Sequence, residues 1–92
     1  GELLLFVRRS TDPYGCALGW QPAATEAGAT GVFQDPCRRN TWSRDGTLLL
    51  GTTARRDLDR VEHWVNGDGS VVVQVDRIVR GAQRPGAWAE RP

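Results

Sequence analysis

The pattern of apolar and polar positions along the chain changes every few residues, which is typical of short β-strands. Residues 2–9 (ELLLFVRR), an apolar run that ends in charged residues, predict a buried strand. Residues 61–65 alternate and predict a second strand, and residues 70–75 (SVVVQV) predict a third, because valine favours extended backbone. The Asn-Gly-Asp-Gly sequence at 66–69 would join these two strands as a hairpin, and residues 77–80 would lengthen it.

Turn-forming residues divide the first half of the chain. Asp12-Pro13-Tyr14-Gly15 predicts a turn, and residues 21–31 (QPAATEAGATG), which are small, polar and without a period, predict a loop. Residues 31–34 predict a short strand that ends at a proline. Residues 40–50 predict a hairpin around a tight turn at 44–46.

Residues 54–65 fit two interpretations. Their apolar positions recur at helical spacing, and Thr53 could cap a helix there. The aromatic and β-branched residues near the end of this range favour a strand instead. Residues 54–65 are therefore compatible with either a helix or a strand.

Many short strands with turns about every 8–12 residues predict an all-β fold, a small antiparallel sandwich or barrel over residues 1–80. Residues 81–92 contain two prolines and two glycines without a pattern. They predict an irregular C-terminal tail, docked on the domain by Trp88.

Composition restricts the possible functions. The 92 residues carry 12 basic and 11 acidic side chains, a net charge of +1, which argues against a nucleic-acid-binding protein. The longest purely apolar run is five residues, Leu3 to Val7, whereas a membrane helix needs about 20, so we expect no membrane span in this chain. With one histidine, two cysteines and no nucleophile, dinucleotide or phosphate-loop motif, we expect no enzyme.

Residues 31–60 resemble the second cluster-binding motif of the Rieske iron–sulfur family and the strands that follow it. That family has Cys-Pro-Cys-His-Gly-Ser, an aromatic residue, a turn ending in glycine, an apolar strand and a loop leading to Leu-Asp-Arg. The matching elements here are Asp35-Pro36-Cys37-Arg38-Arg39-Asn40, Trp42, Asp45-Gly46, Leu48 to Leu50 and Leu58-Asp59-Arg60. Upstream, residues 15–20 (GCALGW) stand where the family has Cys-Thr-His-Leu-Gly-Cys.

The resemblance implies a Rieske-like fold with two loops at one end, but not the cluster of that family. A Rieske cluster is held by two cysteines and two histidines. The equivalent positions here are Gly15, Ala17, Asp35 and Arg38, and an arginine has no lone pair to donate. We therefore expect no cofactor and no bound metal.

The same resemblance implies a disulfide. In the Rieske family the second cysteine of each motif forms a bridge between the two loops. Cys37 matches one of these positions, whereas Trp20 stands at the other and Cys16 lies four residues before it. A displaced Cys16–Cys37 disulfide is therefore implied, with two free buried thiols as the alternative. A disulfide would point to an oxidising, extracytoplasmic compartment.

Without a cluster, the space between the loops has to be filled, because a void is costly. We expect Trp20 and Trp42 to be buried fillers, and the Arg38 side chain to pair with the Asp35 carboxylate. The single histidine, His63, is expected to be a half-buried strand residue and not a ligand.

Taken together, these features predict a cluster-free Rieske-like domain with a structural, accessory or protein-interaction role. The family implies a membrane-associated electron-transfer complex, respiratory or photosynthetic, in a bacterial-type extracytoplasmic or membrane-associated location. Partner contacts would fall on Arg38, Arg39 and Trp88. One alternative is a working Rieske [2Fe-2S] electron-transfer protein with ligands in another register or from another chain. A second alternative is a module that binds an anion or a peptide through the same three residues.

Overall fold

The computed structural model describes residues 5–88, and these residues form two antiparallel sheets without an α-helix. The predicted all-β fold is therefore confirmed. The elements in chain order are β1 (Gly19–Glu26), β2 (Ala29–Gln34), β3 (Thr41–Ser43), β4 (Leu48–Leu50), β5 (Arg60–Val65), β6 (Val71–Val79) and a 3-10 turn (Pro85–Ala87). One sheet has the order β1-β2-β3-β4 and the other pairs β5 with β6. Across residues 5–88 no helix is long and apolar enough to cross a membrane.

The β1–β2 hairpin lies where the sequence predicted a loop over residues 21–31. Ala27 and Gly28 form its two-residue turn with φ values of 50° and 82°. Positive φ at both positions matches the twist of the paired strands. Pro22 is tolerated because β1 is an edge strand with a bulge at this point. The loop prediction is wrong because the outer half of this hairpin is exposed on both faces, so its sequence does not alternate.

Both hairpins that the sequence predicted are confirmed. The one over residues 40–50 is β3 and β4, with Trp42 opposite Leu48. The other is β5 and β6, and β6 extends to Val79 as the sequence suggested. The helix over residues 54–65 is not formed. The apolar positions at its start belong to a buried loop, and those at its end belong to β5.

Residues 5–9 do not continue the strand predicted over residues 2–9. They form two isolated bridges, Phe6 with Arg60 and Arg9 with Ala17. The prediction fails here because the backbone changes partners within four residues, from the base of β5 to the loop that precedes β1. Residues 2–4 of the predicted strand lie outside the described part of the chain.

The segment at 81–88 runs along the loop that precedes β5, held by three backbone hydrogen bonds of 2.8–3.0 Å. Arg84 also forms a 2.9 Å ion pair with Asp57. The Trp88 ring lies 4.7 Å from the Arg55 guanidinium, so Trp88 docks this segment as predicted. Residues 89–92 of the predicted tail lie outside the described residues.

The hydrophobic core lies between the first sheet and the loop that precedes β5. Its buried members are Leu18, Trp42, Leu48, Ala54 and Leu58. The predicted burial of Trp42 is confirmed, since its side chain is 0% exposed and its indole N–H donates to the Arg56 carbonyl at 3.0 Å. His63 is half-buried on β5, also as predicted.

Trp20 is not the buried filler that the sequence suggested. It lies on edge strand β1, is 41% exposed, and packs against Phe33 with ring centroids 4.9 Å apart. An indole at an edge strand has neighbours on one side only, so it covers the sheet and does not fill its interior.

Removing the two tryptophans should therefore have different costs. We expect Trp42→Ala to lower the free energy of unfolding by about 3–5 kcal/mol, because it opens a cavity in the core. Trp20→Ala should cost about 1–2 kcal/mol, the value of partial apolar burial. Denaturant titration of both variants beside the parent checks this. Equal costs would contradict the assignment of Trp42 as the central core residue.

Candidate functional site

Three loops meet at one end of the molecule. Loop A (residues 10–18) precedes β1, loop B (35–40) joins β2 to β3, and loop C (51–54) follows β4. The Cys16–Cys37 disulfide links loops A and B, with the two Cα atoms 6.5 Å apart. The predicted disulfide is thus confirmed, and the alternative of two free thiols is excluded. Cys37 is exposed and Cys16 half-buried, so solvent reaches the bond.

Beneath the disulfide, the side chain of Asn40 connects all three loops. The two hydrogens of its amide nitrogen are shared among three acceptors: Asp35 Oδ2 at 2.6 Å, Thr53 Oγ1 at 2.9 Å and Asp12 Oδ2 at 3.3 Å. Its oxygen accepts the backbone N–H groups of Thr52, Thr53 and Ala54 at 2.8–2.9 Å. Asn40 is 0% exposed, so these bonds form away from water. One buried amide thereby fixes the separation of loops A, B and C.

Asp35 shapes loop B from inside. Its carboxylate accepts the Arg38 backbone N–H at 2.5 Å, and its carbonyl accepts the Arg39 N–H at 3.0 Å. Arg39 then adopts a φ of 60°. This conformation is uncommon for a residue with a side chain, and it persists only where the surroundings impose it. Here the turn around Asp35 imposes it.

Asp12 shapes loop A in the same way. Its Oδ1 accepts the backbone N–H groups of Tyr14 and Gly15 at 3.0–3.1 Å, and its Oδ2 accepts the Thr53 hydroxyl at 2.6 Å. Burial of the Asp12 carboxyl opposes its ionisation, but these hydrogen bonds, with a contribution from Ser10, outweigh that effect. The pKa of Asp12 therefore lies below its usual value.

The four positions that the resemblance matches to Rieske ligands do not present the donors of such a cluster. Gly15 offers no side chain, and Ala17 is an exposed methyl group. Asp35 is fully buried with both carboxylate oxygens already accepting hydrogen bonds. Arg38 carries no lone pair, and both cysteines are bonded to each other. The chemistry of this donor set does not fit a Rieske [2Fe-2S] cluster, whose ligands are two cysteine thiolates and two histidines.

The outer surface of loops A and B is basic and aromatic. The Arg38 guanidinium lies 4.2 Å from the centroid of the Tyr14 ring, which is 58% exposed. Arg9 reaches the same loop and donates to the Gly15 carbonyl at 3.1 Å. The predicted ion pair between the Arg38 and Asp35 side chains is wrong, because the Asp35 carboxylate faces inward and receives the Arg38 backbone N–H.

The three predicted partner-contact residues do not share one set of neighbours. Arg38 and Arg39 lie together on the exposed side of loop B. Trp88 packs against Arg55, and its indole N–H points to the Arg55 carbonyl at 3.4 Å. Loop C lies between the two groups, since Gly51 bridges Trp88 while the Thr52 hydroxyl donates to the Arg38 carbonyl.

Sequence reasoning missed the importance of Tyr14, Asn40 and Thr53. The signal for Asp12 was present, because an aspartate that opens an Asp-Pro-Tyr-Gly turn often accepts backbone N–H groups two and three residues on. No comparable signal marks Asn40. Its partners lie 5 to 28 residues away in the chain, so only the folded arrangement reveals them.

The chain matches no protein-family model, and it matches no curated protein and no solved structure.

The network predicts a large effect of Asn40. Asn40→Ala would leave the buried Asp35 Oδ2 and three loop C N–H groups without their partner, so we expect a loss of about 3 kcal/mol or more in the free energy of unfolding. Asn66→Ala removes an exposed asparagine that bonds only Ser70, and it should cost under about 1 kcal/mol. Denaturant titration compares the two variants. Similar losses would show that Asn40 does not organise the loops.

Asp12 predicts a dependence of stability on pH. Its folded-state pKa lies below the unfolded value, so its contribution is present above about pH 4 and is lost as the pH falls through the folded pKa. We expect Asp12→Asn to lower stability at neutral pH and to flatten the loss of stability between neutral and acid pH. Asp76→Asn, on an exposed part of β6, is the control. Urea titrations at several pH values test this, and parallel curves for the Asp12 variant and the parent would contradict it.

Proposed function

We propose that this chain is a cluster-free, non-catalytic domain of Rieske-like ancestry that acts as an accessory or protein-interaction module. The observation that carries the proposal is the Asn40 network. It joins the loops that the resemblance matches to the Rieske cluster-binding motifs, and it consists of residues that bond one another. Among residues 5–88, no buried side-chain nitrogen or oxygen lacks a hydrogen-bond partner. A buried metal site with empty nitrogen or oxygen ligands would leave such atoms.

The working Rieske protein is the weaker candidate. A shifted alignment with the Rieske motifs does not supply cysteine ligands, because the two cysteines are already joined in a disulfide. The single histidine, His63, lies on β5, outside loops A, B and C. A cluster would require the disulfide to be reduced and histidines to come from another molecule.

A finer proposal concerns the setting. The Cys16–Cys37 disulfide is compatible with an extracytoplasmic protein, because disulfides persist in oxidising compartments. The Rieske resemblance adds an association with a membrane-bound electron-transfer complex of bacterial type, respiratory or photosynthetic. In such a complex the domain would contribute binding surface and not an electron carrier.

Iron analysis tests the central proposal. The chain, produced in cells with an active iron–sulfur assembly system and purified without oxygen, should be colourless. It should contain well under one iron per chain. A protein with about two irons and two sulfides per chain and a visible charge-transfer spectrum would overturn the proposal.

Native electrophoresis tests the setting. In its source cells, an epitope-tagged version of the complete gene product should run with a haem-staining membrane complex after mild detergent extraction. Deletion of the gene should reduce the amount of assembled complex. The haem and iron content per assembled complex should stay unchanged. Migration away from every haem-staining band would contradict the electron-transfer setting but not the absence of a cluster.

A further inference from the structure

The outer surface of loops A and B has features that the inner network does not require. We propose that Tyr14, Arg38 and Arg39 form a docking surface for an acidic segment of a partner protein, and that the Cys16–Cys37 disulfide controls it. This inference rests on the proposed function as an interaction module. It adds the chemistry of the partner and a condition for binding.

The arginine side chains differ in whether acceptors within the protein bind their guanidinium groups. Arg8, Arg56 and Arg84 direct their guanidinium groups to acceptors within the protein. The ion pairs of residues 5–88 involve Arg56, Arg77 and Arg84. Arg38 and Arg39 are exposed and take part in none of these pairs. Their guanidinium N–H groups are therefore available to a carboxylate from outside.

The Arg38 side chain stacks on Tyr14. At 4.2 Å from the ring centroid, the guanidinium uses its flat face against the aromatic ring. Its edge, which carries the N–H donors, stays accessible for a bidentate contact with a carboxylate. Tyr14 itself is 58% exposed and adds an apolar surface beside the charge. Such a combination suits a peptide with an acidic and an apolar residue better than a small inorganic anion.

The disulfide lies next in sequence to the residues of the Arg38–Tyr14 stack. Tyr14 lies two residues before Cys16, and Arg38 directly follows Cys37, so the bond joins the two halves of the stack. The Asn40 network lies beneath and links loops A, B and C through hydrogen bonds alone. Reduction should therefore loosen the outer Tyr14–Arg38 pair while the inner layer keeps the loops in place.

The chemical step is thiol–disulfide exchange with a dithiol reductant, either a dithiol protein or dithiothreitol. A thiolate of the reductant attacks the exposed Cys37 sulfur and forms a mixed disulfide, and the Cys16 thiolate leaves and is protonated. The second thiol of the reductant, as its thiolate, then attacks the reductant sulfur in the mixed disulfide and releases the Cys37 thiolate, which is protonated. Two electrons and two protons pass to the cysteines, and the reductant becomes a disulfide.

Fluorescence anisotropy with the intact 92-residue chain and a labelled octaglutamate peptide at low salt tests the surface. We expect Arg38→Gln, Arg39→Gln and Tyr14→Ala each to weaken binding about fivefold, and Tyr14→Phe to keep it. Arg44→Gln is the matched control, because Arg44 is exposed but points to the Thr30 carbonyl on β2. Its affinity should stay within about twofold of the parent.

Competitors define the class of ligand. An octaglutamine peptide should not bind, and inorganic phosphate at equal ionic strength should not displace the octaglutamate peptide. Absence of octaglutamate binding, or an equal loss in Arg44→Gln, would overturn the docking surface. A labelled polyuridine that binds more tightly than octaglutamate would overturn the assignment to an acidic protein segment.

Reduction tests the control by the disulfide. In dithiothreitol, or in the Cys16→Ser/Cys37→Ser variant, octaglutamate affinity should fall about fivefold while the far-ultraviolet circular dichroism of the sheets is retained at low temperature. Reoxidation should restore the affinity. Unchanged affinity, or a loss of affinity that accompanies general unfolding, would overturn the control and leave the surface itself intact. None of these results depends on the iron analysis, so failure here is distinguishable from failure of the cluster-free proposal.

Discussion

The side-chain amide of Asn40 is the constraint on which the loop end depends. A buried amide must place its two N–H hydrogens and its oxygen on partners, because each unmet group costs about 1–3 kcal/mol. Asn40 does so by accepting three N–H groups of loop C and donating to Asp12 and Asp35 from loops A and B. The geometry of one planar group therefore sets how the three loops converge. Asn40 occupies Oδ2 of each carboxylate, and backbone N–H groups occupy Oδ1, which explains why this acidic pair is a structural element.

The loop end consists of two layers held by different interactions. The inner layer is a hydrogen-bonded network that includes Asp12 and Asp35, and it depends on low solvent access for its strength. The outer layer is the disulfide and the Arg38–Tyr14 stack, both in contact with water. A change that acts on the outer layer, such as reduction, need not reach the inner one. The outer layer can therefore respond to its surroundings while the fold stays intact.

Hairpins whose sequences alternate between apolar and polar residues, or contain strong turn residues, could be predicted from the sequence, as β3–β4 and β5–β6 show. The β1–β2 hairpin could not, because its outer half is solvated on both sides and has no apolar face to impose a period. Trp20 was mistaken for a core residue because hydrophobicity does not reveal that its strand lies at a sheet edge. The disulfide could be anticipated from the order of the cysteines in the resemblance. The Asn40 network could not, since its bonds join residues that only the finished fold brings together.

The distribution of apolar burial adds a last constraint. The core is confined to the first sheet and the loop that precedes β5, whereas Trp64, Val65, Val71 and Val73 on the second hairpin are 42–55% exposed. An isolated two-stranded hairpin is marginal in water, so the second hairpin adds little to the stability of the loop end. That stability must come from Trp42 and its neighbours below the loops, from the Asn40 network within them and from the disulfide above. Because these three contributions act on the same three loops, they restrain the loop end together. A rigid surface loses little conformational entropy when a partner binds, and this favours the loop end over the exposed hairpin as the place where the domain makes specific contacts.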